Sequence, residues 1–132
     1  MRDESLADNA EAALRLLESV DRPNFKLSFE VSHRANGEPP RERLERVLDH
    51  VAHVHLRNLA TYATDGGERA VWAPIADGLV DYYPLVEALA EHGYSGCYAL
   101  EFASREGNCK RELLAADLAH LKSLFKLMGR PV

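Results

Sequence analysis

Three strand-like segments alternate with helical patterns along this chain, and that order restricts the folds available to it. The strands are expected at residues 25–30, 51–56 and 97–102. Helices are expected over 5–20, with Ser5 as N-cap, after Pro39-Pro40, from Pro84 to Gly93, and over 110–128. One helix followed by three strand–helix units predicts an α/β fold with a parallel sheet. We identify no hairpin signal, so we expect no antiparallel pairing and interpret residues 65–67 as a flexible loop.

Composition narrows the class of protein and its partners. The 132 residues, 46% hydrophobic and 28% charged, fit a single domain over residues 1–132. A net charge of −5 argues against a nucleic-acid partner, because nucleic-acid-binding faces are basic. No apolar run approaches the roughly 18 residues of a membrane span, and the acidic start does not resemble a secretory signal. We therefore expect a cytoplasmic protein with free thiols at Cys97 and Cys109.

Each predicted strand has one apolar face and one small or polar face, because side chains alternate along a strand. Glu30, His55 and Glu101 lie on the polar faces, near the C-terminal ends of their strands. In parallel α/β proteins, ligands bind at that end of the sheet. His53 lies two residues before His55 on the same face, so we expect it to be deeper and packed. The sequence thus predicts that two carboxylates and one imidazole converge.

These side chains suit a divalent metal, since carboxylate oxygen and neutral imidazole nitrogen are ligands of Mn²⁺, Mg²⁺, Co²⁺ and Zn²⁺. A set with two carboxylates favours Mn²⁺ or Mg²⁺. The alternative interpretation is that Glu30 and Glu101 are ordinary charges at strand ends. His33, just past the first strand, is either aimed at a bound substrate or solvated in a loop.

Four stretches, in order, resemble motifs of the sugar phosphate isomerase/epimerase superfamily, the xylose-isomerase-like TIM barrels. Residues 29–33 (FEVSH) are similar to the sixth-strand motif of an acidic residue, two residues and a histidine. Residues 53–58 (HVHLRN) are similar to the seventh-strand motif HVHLKD. Residues 75–82 (IADGLVDY) and 93–101 (GYSGCYALE) are similar to the segment before the seventh helix and to the eighth strand. The resemblance extends over nearly the whole chain.

The resemblance implies a partial TIM barrel whose three strands correspond to the sixth, seventh and eighth. It implies that Glu30, His55 and Glu101 are metal ligands, and that Glu30 and Glu101 are also the catalytic acid and base. It implies that His33 and Arg57 contact a sugar or sugar-phosphate substrate. In such enzymes the metal, for which Mn²⁺ is our first expectation, holds adjacent substrate oxygens while glutamates move a proton through an enediolate.

The sequence departs from the family pattern in ways that affect the site and the assembly. Glu30 stands where aspartate is commoner, and Asn58 replaces an aspartate, which removes a negative charge near His55. The family's first metal-binding glutamate is expected before Met1. Three parallel strands leave two unpaired edges, so we expect either a homo-oligomer or association with an N-terminal half.

Three functions are compatible with these features. The leading hypothesis is a metal-dependent sugar or sugar-phosphate isomerase or epimerase. The second is a non-catalytic association module derived from the barrel. The third is the endonuclease-like branch of the same superfamily, which we rank last. Residues 71–81 contain no histidine for a multi-zinc cluster, and the net charge opposes DNA binding.

Overall fold

The computed structural model describes residues 9–31, 38–101 and 111–130, which form four α-helices and five β-strands. The helices are α1 (Ala10–Val20), α2 (Pro40–Val47), α3 (Tyr83–Glu91) and α4 (Arg111–Leu127). The strands are β1 (Leu27–Glu30), β2 (Val51–Leu56), β3 (Asn58–Thr64), β4 (Gly67–Ala73) and β5 (Cys97–Leu100). Short 3₁₀ turns at Leu48–His50 and Ile75–Asp77 precede β2 and α3. Within these ranges, no helix is long and apolar enough to span a membrane.

The helix ends follow local capping chemistry. The first helix begins at Ala10, because the side chain of Asn9 accepts a hydrogen bond from the Ala12 N–H and the Asn9 backbone is extended. The predicted N-cap, Ser5, lies outside the described residues. After α3, Gly93 has a φ of +78° and its N–H donates to the Ala90 carbonyl, as in a Schellman motif. The predicted stop at Gly93 is therefore confirmed.

The central sheet contains three parallel strands in the order β1-β2-β5, as the sequence predicts. Consecutive parallel neighbours require helical crossovers, which α2 and α3 provide. The register places Glu30 of β1 opposite His55 of β2, and His55 opposite Ala99 of β5. The C-terminal ends of the three strands therefore lie side by side at one edge of the layer.

A β-bulge modifies the predicted alternation at the start of β2. The register shifts between Leu27 and Ser28 of β1, which leaves Ala52 without a partner in β1. As a result Val51 is buried on the helix side and Ala52 is exposed, the reverse of the expected faces. Beyond the bulge, β2 alternates as predicted.

The segment between β2 and α3 contains an antiparallel hairpin, so two expectations were wrong. β3 pairs with β4 over seven residue pairs, and Asp65 and Gly66 form the turn between them, where a flexible loop was expected over residues 65–67. The turn residues are Asp65 and Gly66, a dipeptide that favours two-residue hairpin loops. Gly67 follows with a φ of +107°, and the Thr64 hydroxyl donates to its carbonyl. The sequence therefore contains a local signal for this hairpin.

The hydrophobic core lies between one face of the sheet and helices α2, α3 and α4. Each of these elements contributes buried side chains to the core, among them Leu44, Leu56, Val86, Leu89, Leu121 and Leu124. One buried polar contact also fixes α4. The Asp117 carboxylate accepts a 2.8 Å hydrogen bond from the Ile75 N–H, which attaches α4 to the turn before α3. The helices thus cover the face of the sheet opposite the polar strand ends.

Candidate metal centre

Glu30, His55 and Glu101 converge at the C-terminal edge of the sheet. One ligand atom from each residue lies within 4.8 Å of the others. The two imidazole nitrogens of His55 face different carboxylates, with Nδ1 3.2 Å from Glu30 Oε2 and Nε2 3.4 Å from Glu101 Oε2. The three residues that the sequence singled out as ligands are therefore brought together by the fold.

Strand register explains this convergence. Glu30 is the last residue of β1 and lies directly opposite His55 in the parallel ladder. Glu101 follows the last residue of β5, and its N–H donates a 2.8 Å hydrogen bond to the Leu56 carbonyl, which extends the pairing by one residue. All three side chains are about one third exposed, at 32–33%. The site is therefore fixed by backbone pairing yet open to a small ligand.

The donor set fits a divalent cation. Glu101 Oε2 is buried and has no hydrogen-bond partner within the described part of the chain. Leaving a buried carboxylate oxygen without such a partner is costly, and a cation would remove that cost. Two carboxylates and an imidazole with accessible nitrogen are ligands that Mn²⁺ and Mg²⁺ accept. Glu30, His55 and Glu101 are the residues that would hold such an ion.

Arg57, predicted to contact substrate, lies between the two carboxylates. One terminal nitrogen of its guanidinium pairs with Glu30 Oε1, and the other is 3.6 Å from Glu101 Oε2. The guanidinium also lies over the ring of Trp72, 5.3 Å from the ring centroid. Trp72 belongs to the β3–β4 hairpin, which was not expected from the sequence, so its position near the site was not predicted either.

Tyr82 holds the backbone at the end of β2. Its hydroxyl donates a 2.6 Å hydrogen bond to the Arg57 carbonyl and accepts one of 3.2 Å from the Arg57 N–H. The side chain is only 2% exposed, and this burial raises the pKa of Tyr82 to about 12. The residue stands in the 75–82 stretch identified in the sequence, where no role was assigned to it.

Asn58 has a structural role that the sequence did not suggest. It is 1% exposed, and its amide nitrogen donates to the carbonyls of Ile75 and Val80 at 2.8 Å. Its amide oxygen accepts from the N–H groups of Leu59 and Val80. A carboxylate could not donate to the two carbonyls, so the amide fastens the 75–80 segment to β3. Asn58 therefore has a packing role in addition to the difference in charge expected from the sequence.

Two other predicted positions have different outcomes. His33 lies outside the described residues. His53 is exposed, so the prediction that it is packed was wrong. Its ring meets that of His55 edge to face at 6.2 Å, while Ser28 and Cys97, its register partners, are exposed as well. The polar face of the sheet therefore has no cover among the described residues.

Comparison with known proteins identifies the family. Residues 2–124 match the xylose isomerase-like TIM barrel family. The chain belongs to this family. Its three parallel strands and unclosed sheet represent part of such a barrel. The fold class and the resemblance expected from the sequence are both confirmed.

Individual relatives are distant and longer. An inosose dehydratase from Lacticaseibacillus casei is 26% identical over 99 residues, which are 66% of this chain and 33% of the relative. A xylose isomerase-like TIM barrel protein from Mycobacterium smegmatis, solved in complex with magnesium, is 18% identical with a TM-score of 0.73. A D-tagatose 3-epimerase-like protein is 20% identical with a TM-score of 0.70. This chain covers 42% of each of these two structures, which cover 94% and 92% of it respectively. The chain spans less than half the length of these relatives.

Proposed function

We propose that this chain carries part of the active site of a metal-dependent sugar or sugar-phosphate isomerase or epimerase. The observation that supports this most strongly is the buried Oε2 of Glu101, which has no hydrogen-bond partner among the described residues and lies beside His55 and within reach of Glu30. A structural role for Glu101 would leave that oxygen hydrogen-bonded, as the carboxylate of Asp117 is. We assign a divalent cation to this position, with Mn²⁺ preferred and Mg²⁺, Co²⁺ or Zn²⁺ as alternatives.

The two glutamates suit proton transfer at carbon. A bound divalent cation would polarise adjacent oxygens of a hydroxyketone and increase the acidity of the C–H bond between them. Glu30 and Glu101 approach His55 from opposite neighbouring strands, so one carboxylate can take a proton that the other returns. Arg57 supplies N–H donors for substrate oxygens at the same edge. Return of the proton to the other face of the same carbon gives epimerisation. Return to the adjacent carbon, with the hydroxyl proton moving between the two oxygens, gives isomerisation.

A second candidate is dehydration of a hydroxyketone. The inosose dehydratase that matches two thirds of this chain favours this alternative. Dehydration also begins with abstraction of a proton beside a carbonyl, so the same glutamates would serve. It differs in the next step, because hydroxide leaves from the neighbouring carbon instead of the proton returning.

We also propose that the site is completed by association. Among the described strands, β1 and β5 each pair only with β2, so each has one open edge. Unpaired edges and an uncovered polar face favour contact with another copy or with a chain that supplies the remaining strands. A cytoplasmic location stays a prediction. The measurement for association is the molar mass in solution from light scattering.

The proposed chemistry is tested by proton exchange. The full chain would be incubated in D₂O with Mn²⁺ and a panel of ketoses, ketose phosphates and an inosose. Mn²⁺ would then be removed by chelation, and NMR would follow deuterium uptake. We expect uptake beside the carbonyl that is lost in Glu101→Gln and kept in Glu112→Gln, an exposed carboxylate on α4. An epimer among the products supports the first candidate, and a dehydrated product supports the second. Uptake no faster than with Mn²⁺ alone would contradict both and favour a non-catalytic association module.

A further inference from the structure

We propose that Arg57 is a built-in counter-cation of this site, which neutralises Glu30 and Glu101 and releases them when a divalent cation binds. Trp72 holds the guanidinium in both states. This inference rests on the proposed metal site and adds a regulation to it. Occupancy of the metal site and the direction of the Arg57 side chain are thereby coupled.

The first observation is that Arg57 and a cation would use the same oxygen. Glu101 Oε2 lies 3.4 Å from His55 Nε2 and 3.6 Å from a terminal nitrogen of Arg57. The 3.6 Å separation from Arg57 is beyond hydrogen-bond range, so the guanidinium attracts this oxygen electrostatically without donating a hydrogen bond to it. On the other side, Arg57 pairs with Oε1 of Glu30, while Oε2 of Glu30 faces His55. The guanidinium thus spans the two carboxylates that would bind the ion.

The second observation is the charge balance. Two carboxylates whose oxygens lie within 4.8 Å of a common imidazole repel each other unless a cation is close. Arg57 supplies one positive charge, because guanidinium groups are charged in proteins. A divalent ion would supply two charges and would repel the guanidinium at such short range. Arg57 can therefore yield only by moving its side chain.

The third observation is that hydrogen bonds fix the backbone of Arg57, while its side chain can contact an aromatic ring as well as the two carboxylates. The Tyr82 hydroxyl makes hydrogen bonds to both the N–H and the carbonyl of Arg57. Trp72 is held opposite Leu59 in the β3–β4 ladder. The Trp72 ring already lies 5.3 Å from the guanidinium, and an aromatic face attracts a cation that has lost its carboxylates. Only the side chain of Arg57 is therefore free to respond.

Trp72 also provides the readout, because it is the only tryptophan in the chain. Its emission would be recorded while Mg²⁺ is added to the full chain, since Mg²⁺ is diamagnetic and does not quench fluorescence. We expect the emission to change along the binding isotherm in the wild type and to stay constant in Arg57→Gln. An unchanged emission during calorimetrically proven Mg²⁺ binding to the wild type would overturn the proposal.

Calorimetry with Mg²⁺ tests the competition itself. Breaking one partly exposed ion pair weakens Mg²⁺ binding by about a few-fold, and Arg57 makes two such pairs. Arg57→Gln should therefore bind Mg²⁺ about tenfold more tightly than the wild type. Arg57→Lys keeps the charge but cannot span both carboxylates, so its Mg²⁺ affinity should lie between those of the wild type and Arg57→Gln. Arg69→Gln, which removes an exposed charge from the same hairpin, should bind like the wild type.

The outcomes separate this inference from the proposed function. If the wild type and Arg57→Gln bind Mg²⁺ equally well, the metal site stands and the competition is refuted. If Arg69→Gln gains as much affinity as Arg57→Gln, general charge repulsion explains the gain and the inference is refuted. If neither the wild type nor Arg57→Gln binds, both the inference and the proposed metal site are refuted.

Discussion

On one face of the sheet, helices cover Val54 and Leu56 of β2 so completely that their exposed fractions are 3% and 1%. On the opposite face of the same strand, His53 is exposed and His55 is about one third exposed. Within this single strand, one face therefore packs in the core and the other carries the candidate site. The covered face gains free energy from apolar burial, while the open face keeps polar groups accessible to ligands.

This division predicts that substitutions on the covered face affect folding and leave the site's chemistry unchanged. The sharpest comparison uses β2. Leu56→Ala should lower the free energy of unfolding by about 3 kcal/mol, because it opens a cavity in the core. His53→Ala, three residues away on the open face, should change it by less than about 0.5 kcal/mol. Urea unfolding followed by circular dichroism measures both.

Similar losses of stability from the two variants in a monomeric chain would contradict the division. A large effect of His53→Ala in an associated chain would instead mean that the proposed association covers the open face. Light scattering on the same samples would then show a mass above that of one chain. A small effect of Leu56→Ala would mean that the covered face is not the main source of stability.

A smaller loss of stability is expected from a substitution of Asn58, which links the covered face to the hairpin. Asn58→Asp should cost about 2 kcal/mol at neutral pH, because a buried carboxylate would face the carbonyls of Ile75 and Val80. We expect burial beside these carbonyls to raise the pKa of the introduced carboxyl above its ordinary value in the folded state. The loss should therefore grow as the pH rises through the ordinary aspartate range of about 4.

The control for this prediction is the same substitution at a helix N-terminus. Asn9 caps α1, where aspartate serves equally well, so Asn9→Asp should leave stability nearly unchanged. Thermal unfolding at pH 4 and pH 7 separates the two variants. Equal stability of Asn58→Asp and the wild type at pH 7 would show that the amide does not fasten the 75–80 segment.

The sequence predicted the parallel strands and the residues on their polar faces because strand alternation needs only local information. Glu30, His55 and Glu101 could be grouped once each was known to end a parallel strand. The positions of Tyr82 and Trp72 depend on how the segment between β2 and α3 folds back, which alternation does not reveal. The exposure of His53 depends on what covers the sheet, and the bulge at Ala52 depends on register between strands. These features arise from tertiary pairing, so local patterns could not supply them.

The smallest expected effect concerns Tyr82, at the border between the two faces. Tyr82→Phe removes hydrogen bonds to the Arg57 backbone and should lower stability by about 1 kcal/mol at pH 8. The folded-state pKa of Tyr82, about 12, is above the ordinary value of 10. Its contribution is therefore complete below pH 10 and is lost as the pH rises towards 12. Urea unfolding of both proteins between pH 8 and 12 should show the difference narrowing.

A difference that stayed constant through this range would contradict the assigned pKa. Tyr98 provides an internal comparison, since burial raises its pKa to about 12 as well. Tyr98 packs edge to face against Phe125 instead of contacting the site. Tyr82→Phe should therefore still lose some free energy of unfolding at alkaline pH, but less than the wild type loses.

The central claim is that the open face holds a divalent cation through Glu30, His55 and Glu101. Calorimetric titration of Mn²⁺ into the full chain, beside Glu101→Gln and Glu112→Gln, tests it most directly. We predict binding near one ion per chain in the wild type and in Glu112→Gln, and its loss in Glu101→Gln. Wild-type stoichiometry and affinity in Glu101→Gln, or no binding in the wild type, would contradict the claim.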